Sequence, residues 1–218
     1  MYEGLKHFMD YKDSVVYLAD SFTGLPSRSQ ELLEPQLAKV ASLGFQRPLN
    51  QEFTADVAEH IRDGNLLIIS TNDHVTGFAS NRAMPELDAV YISGIVKSSE
   101  APSGIVERVL QNYMKYRGPR RIITRTQNDR VVDIVVSLCN ETVPVDRGVT
   151  SEELDMIKRT KLLSGHEDLS PDLIIRGGYG GSLIQSGIPL RSSNPIVRRA
   201  TDKLDYFNGD YLVLLGYF

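Results

Sequence analysis

The 218 residues are 41% hydrophobic and 24% charged with a formal net charge of −4, an ordinary globular balance that excludes disorder, collagen and coiled coil. The single cysteine, Cys139, excludes an internal disulfide and a thiolate-rich zinc site, and the mildly acidic total argues against a protein that coats nucleic acid. No apolar run reaches the roughly 18 residues of a membrane span, so the expectation is a cytoplasmic protein with neither a membrane nor a nucleic-acid partner.

The first residues mix Glu3, Lys6, His7 and Asp10, unlike a secretory segment. Ser14 to Ala19 is β-prone through Val15, Val16 and Tyr17. A helix is expected from Ser27 to Leu43, closed by Gly44, and a second from Glu52 to Arg62 with Gly64 as its cap. In the second, Phe53, Val57 and Ile61 fall four apart on one face.

The period then changes. Leu66 to Ser70 and His74 to Ser80 read as strands joined by a hairpin turn at Asn72-Asp73. A third strand, Ala89 to Val96, leads to an amphipathic helix from Pro102 to Arg117. That helix carries Ile105, Val106, Val109, Leu110, Tyr113 and Met114 as its stripe and ends at Gly118-Pro119. Arg121 to Thr126 is a strand, and Asn128 caps a helix whose apolar face is Val131, Ile134, Val135 and Leu138. Thr150-Ser-Glu-Glu153 is a capping box opening a helix to Leu163. Leu173 to Ile175 and Tyr211 to Leu215 are late strands. This order predicts an α/β (α+β) layer fold in one domain, 1–218, with 140–208 as an insertion covering the acceptor side of the site. The strand–helix–strand unit from Ala89 to Thr126 is expected to be a right-handed crossover.

The stretch from Tyr91 to Asn128 carries the functional argument. After the strand comes Ala101-Pro-Ser-Gly104-Ile-Val106, then a helix, a strand and Thr126-Gln-Asn128. This resembles the acyl-CoA-binding core of the GNAT superfamily of N-acetyltransferases, whose loop reads Gln/Arg-x-x-Gly-x-Gly/Ala. Gly104 matches the middle glycine; Ala101 stands where Gln or Arg is expected and Val106 at the third position. Thr126-x-Asn128 resembles the family's Thr-x-Asn. The resemblance covers roughly residues 14–139 plus a late strand. It implies a mixed central sheet flanked by helices, with acetyl-CoA as co-substrate and no metal.

It further implies a cofactor-binding set of Ile95, Val96, Ala101, Ser103, Gly104, Ile105, Val106 and Asn128. Loop amides and a helix start would receive the CoA pyrophosphate. The amide of Ile95 or Val96 would meet the oxyanion and Asn128 the pantetheine arm. From the residues alone, Pro102 and Gly104 also fit an ordinary helix start, and Asn128 a simple N-cap.

Acyl transfer to an amine needs a base, an oxyanion donor and a proton for the thiolate. Glu86, Asp88 and Ser93 are the candidate bases, and Tyr91 and Tyr179 the candidate proton donors to the thiolate. The tyrosine that the family places in the helix after Thr-x-Asn has no counterpart here, since that position falls near Val135. Arg117, Arg120, Arg121, Arg125 and Arg130 form a basic cluster suited to a ribose phosphate or to a solvated rim. Arg176-Gly-Gly-Tyr-Gly-Gly-Ser182 is a second phosphate-cradle candidate without P-loop or Rossmann spacing, and a glycine-rich turn is the plainer reading. His7, His60, His74 and His166 show no metal-ligand spacing. Two function classes follow: an acyl-CoA-dependent N-acyltransferase acting on an amine, and a non-catalytic GNAT-like module that binds CoA or a partner.

Overall fold

A computed structural model describes residues 2–62, 64–159, 169, 171–184, 189 and 191–218. The chain divides into two compact units, Met1–Ala83 with Tyr91–Gly118, and Met84–Val90 with Pro119–Phe218. The fold class is the expected one: mixed α/β, with mostly antiparallel strands flanked by helices.

The first unit contains β1 (Lys6–Tyr11), β2 (Ser14–Ala19), α1 (Ser27–Phe45), α2 (Gln51–Arg62), β3 (Asn65–Thr71), β4 (His74–Met84), β5 (Ala89–Lys97) and α3 (Ile105–Arg117). Its strands lie in the order β1-β2-β3-β4-β5, the first three pairings antiparallel. Asn72 and Asp73 take φ values of 50° and 65°, as a tight hairpin demands of both central residues. Leu33, Leu37, Val40 and Ala41 of α1 and Phe53, Val57 and Ile61 of α2 close over Leu66, Ile68 and Phe78. Each such side chain contributes about 1.5–3 kcal/mol on burial. The six expected stripe residues of α3 are all buried, and Gly118 closes the helix at φ 65°. The helix begins at Ile105, three residues later than its sequence pattern indicates.

Two glycines act differently from their expected capping roles. Gly44 lies inside α1, which ends at Gln46 in the left-handed region. A Cβ at Gly44 would fall 2.2 Å from a methyl of Val96, so close helix–strand approach explains the glycine. A Cβ at Gly64 would fall 2.5 Å from the Asn81 carbonyl oxygen. Strand β1 is an addition to the sequence reading. It presents Phe8 and Met9 only half-buried, hence no alternating apolar signal. It is fixed by β2 and by α3: Phe8 meets the ring edges of Tyr113 and Tyr116, and Asn112 Nδ2 donates to Met9 Sδ at 3.3 Å.

The second unit contains β6 (Arg121–Thr126), α4 (Asp129–Leu138), β7 (Glu141–Val143), α5 (Ser151–Arg159), β8 (Ile174–Ile175), α6 (Pro195–Thr201) and β9 (Tyr211–Tyr217). Strand β9 pairs with β6 along one edge, while β8 and β7 share the other at its two ends. That enclosure buries Tyr211 to Gly216. Segment 140–208 thus supplies two strands to the same ladder as the last strand. The capping box forms: Thr150 Oγ1 accepts from Glu153 N at 3.2 Å and Glu153 accepts from Thr150 N at 2.8 Å. The expected end of this helix at Leu163 lies outside the described residues. In α4 the inward face is Asp129, Val132, Ile134 and Val135, not the expected Val131 and Leu138, because a buried ionic network holds Asp129 inward. Among the described residues no helix is long and apolar enough to cross a membrane.

Candidate functional site

In the first unit the turn from β5 to α3 is built almost wholly from backbone. Ser98 N donates to Thr76 O at 2.8 Å, which ties the turn to β4. Ala101 N reaches back to Ser98 O at 3.4 Å, and Glu100 N donates to Ser98 Oγ at 3.3 Å. Gly104 is the N-cap of α3 at φ 81°, with no side chain to occupy the first-turn amides. A helix that opens on a glycine spends none of its first-turn amides on a capping side chain and keeps its positive dipole end toward an anion, although here Ile105 N donates to Pro102 O at 3.4 Å.

Strand β1 supplies what sequence reasoning missed. Tyr11 Oη and Lys12 Nζ both donate to the Ser103 carbonyl, at 3.3 Å and 3.2 Å. A Cβ at Gly104 would fall 3.2 Å from Tyr11 Oη. No periodicity marks these two residues, which sit at a hairpin tip about ninety positions from the turn they touch.

The expected cofactor residues divide between the units. Ile95, Val96, Ala101, Ser103, Gly104, Ile105 and Val106 belong to the first. Ala101, Ile105 and Val106 bury their side chains in the core, so only their backbone can face a ligand; Ser103 is exposed. Asn128 belongs to the second unit, where its Oδ1 accepts from Arg130 N at 2.9 Å as the N-cap of α4. Of the proton-carrying candidates, Tyr91 is buried in β5, and the next same-face residue, Ser93, donates to Ser80 O at 3.1 Å. Glu86 is exposed on a single 3-10 turn (Pro85–Leu87) and lines a cleft of about 570 Å³ with Arg121, Glu152, Glu153, Asp155 and Tyr217. Asp88 builds a turn: its carbonyl accepts from Arg120 N and Arg121 N, both at 3.1 Å, and its carboxylate pairs with Arg120 Nε at 3.2 Å. Val135 has no exposed surface, so the helix position that carries a tyrosine in the resemblance is core here.

The basic cluster is engaged within the chain. Arg117 donates to Asn65 Oδ1 at 2.6 Å, Arg121 to Leu87 O at 2.7 Å, and Arg125 lies over the rings of Tyr179 and Tyr211. Lys97 folds back onto the carbonyls of Ser98 and Ala101. The glycine-rich stretch at Arg176 is a turn around an internal anion. Asp210, with no exposed surface, accepts from Gly177 N at 2.9 Å and Asp205 N at 3.0 Å and is paired with Arg176. Tyr179 N and Gly180 N donate to Gly209 O and Gly177 O, both at 3.0 Å. Burial alone raises the Asp210 pKa, yet the two amides, Arg176 and Asn208 outweigh it and hold the carboxyl below its usual value. The chain's own carboxylate fills the place of a phosphate.

No family model and no curated relative matches the sequence. Solved structures to which it is similar are GNAT acetyltransferases. An IAA acetyltransferase from Bacillus cereus is 12% identical, with 94% of this chain and 99% of that chain covered and a TM-score of 0.48. An aminoglycoside 6'-N-acetyltransferase from Enterococcus faecium is 13% identical over 92% of this chain and 96% of that chain, TM-score 0.44. The catalytic domain of a Tetrahymena histone acetyltransferase, in complex with coenzyme A, is 12% identical over 59% and 77%, TM-score 0.43. Identities this low leave activity and substrate to the residues themselves.

Proposed function

We propose that the protein is an acyl-CoA-dependent N-acyltransferase that takes its acyl group from acetyl-CoA and binds the CoA pyrophosphate at the β5–α3 turn. The observation that carries this reading is Gly104, left-handed at φ 81°, as the N-cap of α3 just beyond the end of β5. A Ser, Thr or Asp cap would spend first-turn amides on its own side chain; glycine does not, although Ile105 N already donates to Pro102 O at 3.4 Å, and it lets a ligand approach the backbone closely. In this reading the amide of Ile95 or Val96 stabilises the oxyanion. A thiol titrates at about 8.5, so a missing dedicated acid costs only about 10²-fold or less.

The buried Val135 favours a second reading, a GNAT-like module that binds CoA or a partner without turnover. Calorimetry with CoA followed by an acetyl-CoA assay on a panel of amines separates the two. Gly104→Glu places a carboxylate against the pyrophosphate and is expected to weaken CoA binding at least about tenfold; unchanged affinity overturns the proposed site. CoA binding with no turnover on any amine establishes the module instead.

A further inference from the structure

We infer that the β1–β2 hairpin tip is a positioning device for the cofactor turn: Tyr11 and Lys12 fix the orientation of the Ser103–Gly104 peptide and so aim the Gly104 N–H. The inference rests on the proposed CoA site and adds to it two residues that the GNAT resemblance does not supply. In a trans peptide the carbonyl oxygen and the following N–H point in opposite directions. Ser103 O is held by two donors, Tyr11 Oη at 3.3 Å and Lys12 Nζ at 3.2 Å, which match its two lone pairs. The Gly104 N–H must therefore point away from the hairpin.

The turn around this peptide is closed by Ile105 N on Pro102 O at 3.4 Å, a bond that either orientation of the central peptide can keep. Glycine tolerates both hands of φ, so rotation of the Ser103–Gly104 plane could turn the carbonyl outward, where it would repel a phosphate. The hairpin is itself braced for the task. Lys12 sits at φ 55° with its ammonium 5.2 Å from the centre of the Tyr11 ring. Strand β1 is anchored along α3 by Met9 on Asn112 and Phe8 on Tyr113 and Tyr116. The hairpin is thus joined to Ser103, just ahead of α3, and again to Asn112, Tyr113 and Tyr116 along the helix.

The test compares CoA with pantetheine, which lacks the pyrophosphate, by calorimetry on full-length wild type, Tyr11→Phe, Lys12→Met and Lys12→Arg. The ¹⁵N–¹H resonance of Gly104 is followed in the ligand-free proteins. Tyr11→Phe and Lys12→Met are each expected to weaken CoA about fivefold, the worth of one hydrogen bond. Both should shift the Gly104 resonance, leave pantetheine unchanged and keep the wild-type Tm; Lys12→Arg should restore CoA affinity. CoA affinity like wild type in both variants overturns the inference. So does a loss of affinity in Lys12→Met with the Gly104 resonance unmoved, which would mark Lys12 as a direct phosphate contact. If wild type binds no CoA, the proposed function fails, while the resonance shifts still report whether the hairpin orients the peptide.

Discussion

The first unit buries its sheet with side chains that need no partner, whereas the second places carboxylates at its deepest positions. Leu33, Leu37, Ile61 and Leu66 have no exposed surface, and among the described residues the buried polar ones of that unit are Ser, Thr and Asn. In the second unit Asp129 and Asp210 are fully enclosed and Glu153 is 7% exposed. Each carboxylate gathers an arginine and at least one backbone amide: Arg191 and Ser192 N on Asp129, Arg176 and Gly177 N on Asp210, Arg147 and Thr150 N on Glu153. The difference follows from the chain each unit must hold. Long helices and strands bring apolar stripes of their own, while the irregular stretches around 145–150, 176–182 and 191–194 bring amides outside any ladder that need an acceptor, and the carboxylates collect several of them.

The widest gap should come from truncating the apolar side. Leu37→Ala is expected to cost about 2–5 kcal/mol by urea unfolding, and equally at pH 7 and pH 3, since the buried cluster around Leu37 is apolar. A strongly pH-dependent cost would break the contrast.

The next largest effect belongs to Glu153. The Arg147 guanidinium, and after it Tyr217 and Thr150, overcome burial to hold this carboxyl at about 2, below its ordinary 4.5. A depressed folded value means the stabilisation is complete above 4.5 and is lost as pH falls toward 2. Its worth at neutral pH is about 3 kcal/mol, so Glu153→Gln should unfold earlier in urea at pH 7 and approach wild type near pH 2. An equal deficit at both pH values would mean that packing, not charge, is what Gln loses.

Cys139 sharpens the comparison with the smallest consequence for stability. Burial first, and the charge of Asp146 second, push its thiol up to about 12. Burial and a neighbouring negative charge both oppose the thiolate, so this group stays neutral. Its reaction with a disulfide reagent at pH 8 should run about 10³-fold slower than a free thiol's and recover on unfolding. Labelling at the free rate would show the strand β9 edge to be open.

Much of the first unit was legible because its elements declare themselves by period. Strands β2, β3, β4 and β5 and the α3 stripe fall within a few residues of their sequence positions. The candidate turn was legible through Gly104 alone. Tyr11 and Lys12, which contact it, were not, because they act through side chains at the tip of an edge hairpin about ninety residues away. The Arg176 stretch reads as a phosphate cradle until Asp210, more than thirty residues downstream, is seen to occupy it.

From the sequence by itself came the alternation of periods, the caps at Asn128 and Thr150, the Asn72-Asp73 turn and a glycine at a helix start. These depend on neighbours within about one turn of chain, where local sterics and hydrogen bonding choose the conformation. The tertiary structure alone decided which glycines serve close packing, which way α4 faces, what fills the glycine-rich turn and which side chains grip Ser103. Each of those is settled by an atom brought in from a distant part of the chain, and the free energy of such a contact exists only after the intervening chain has folded.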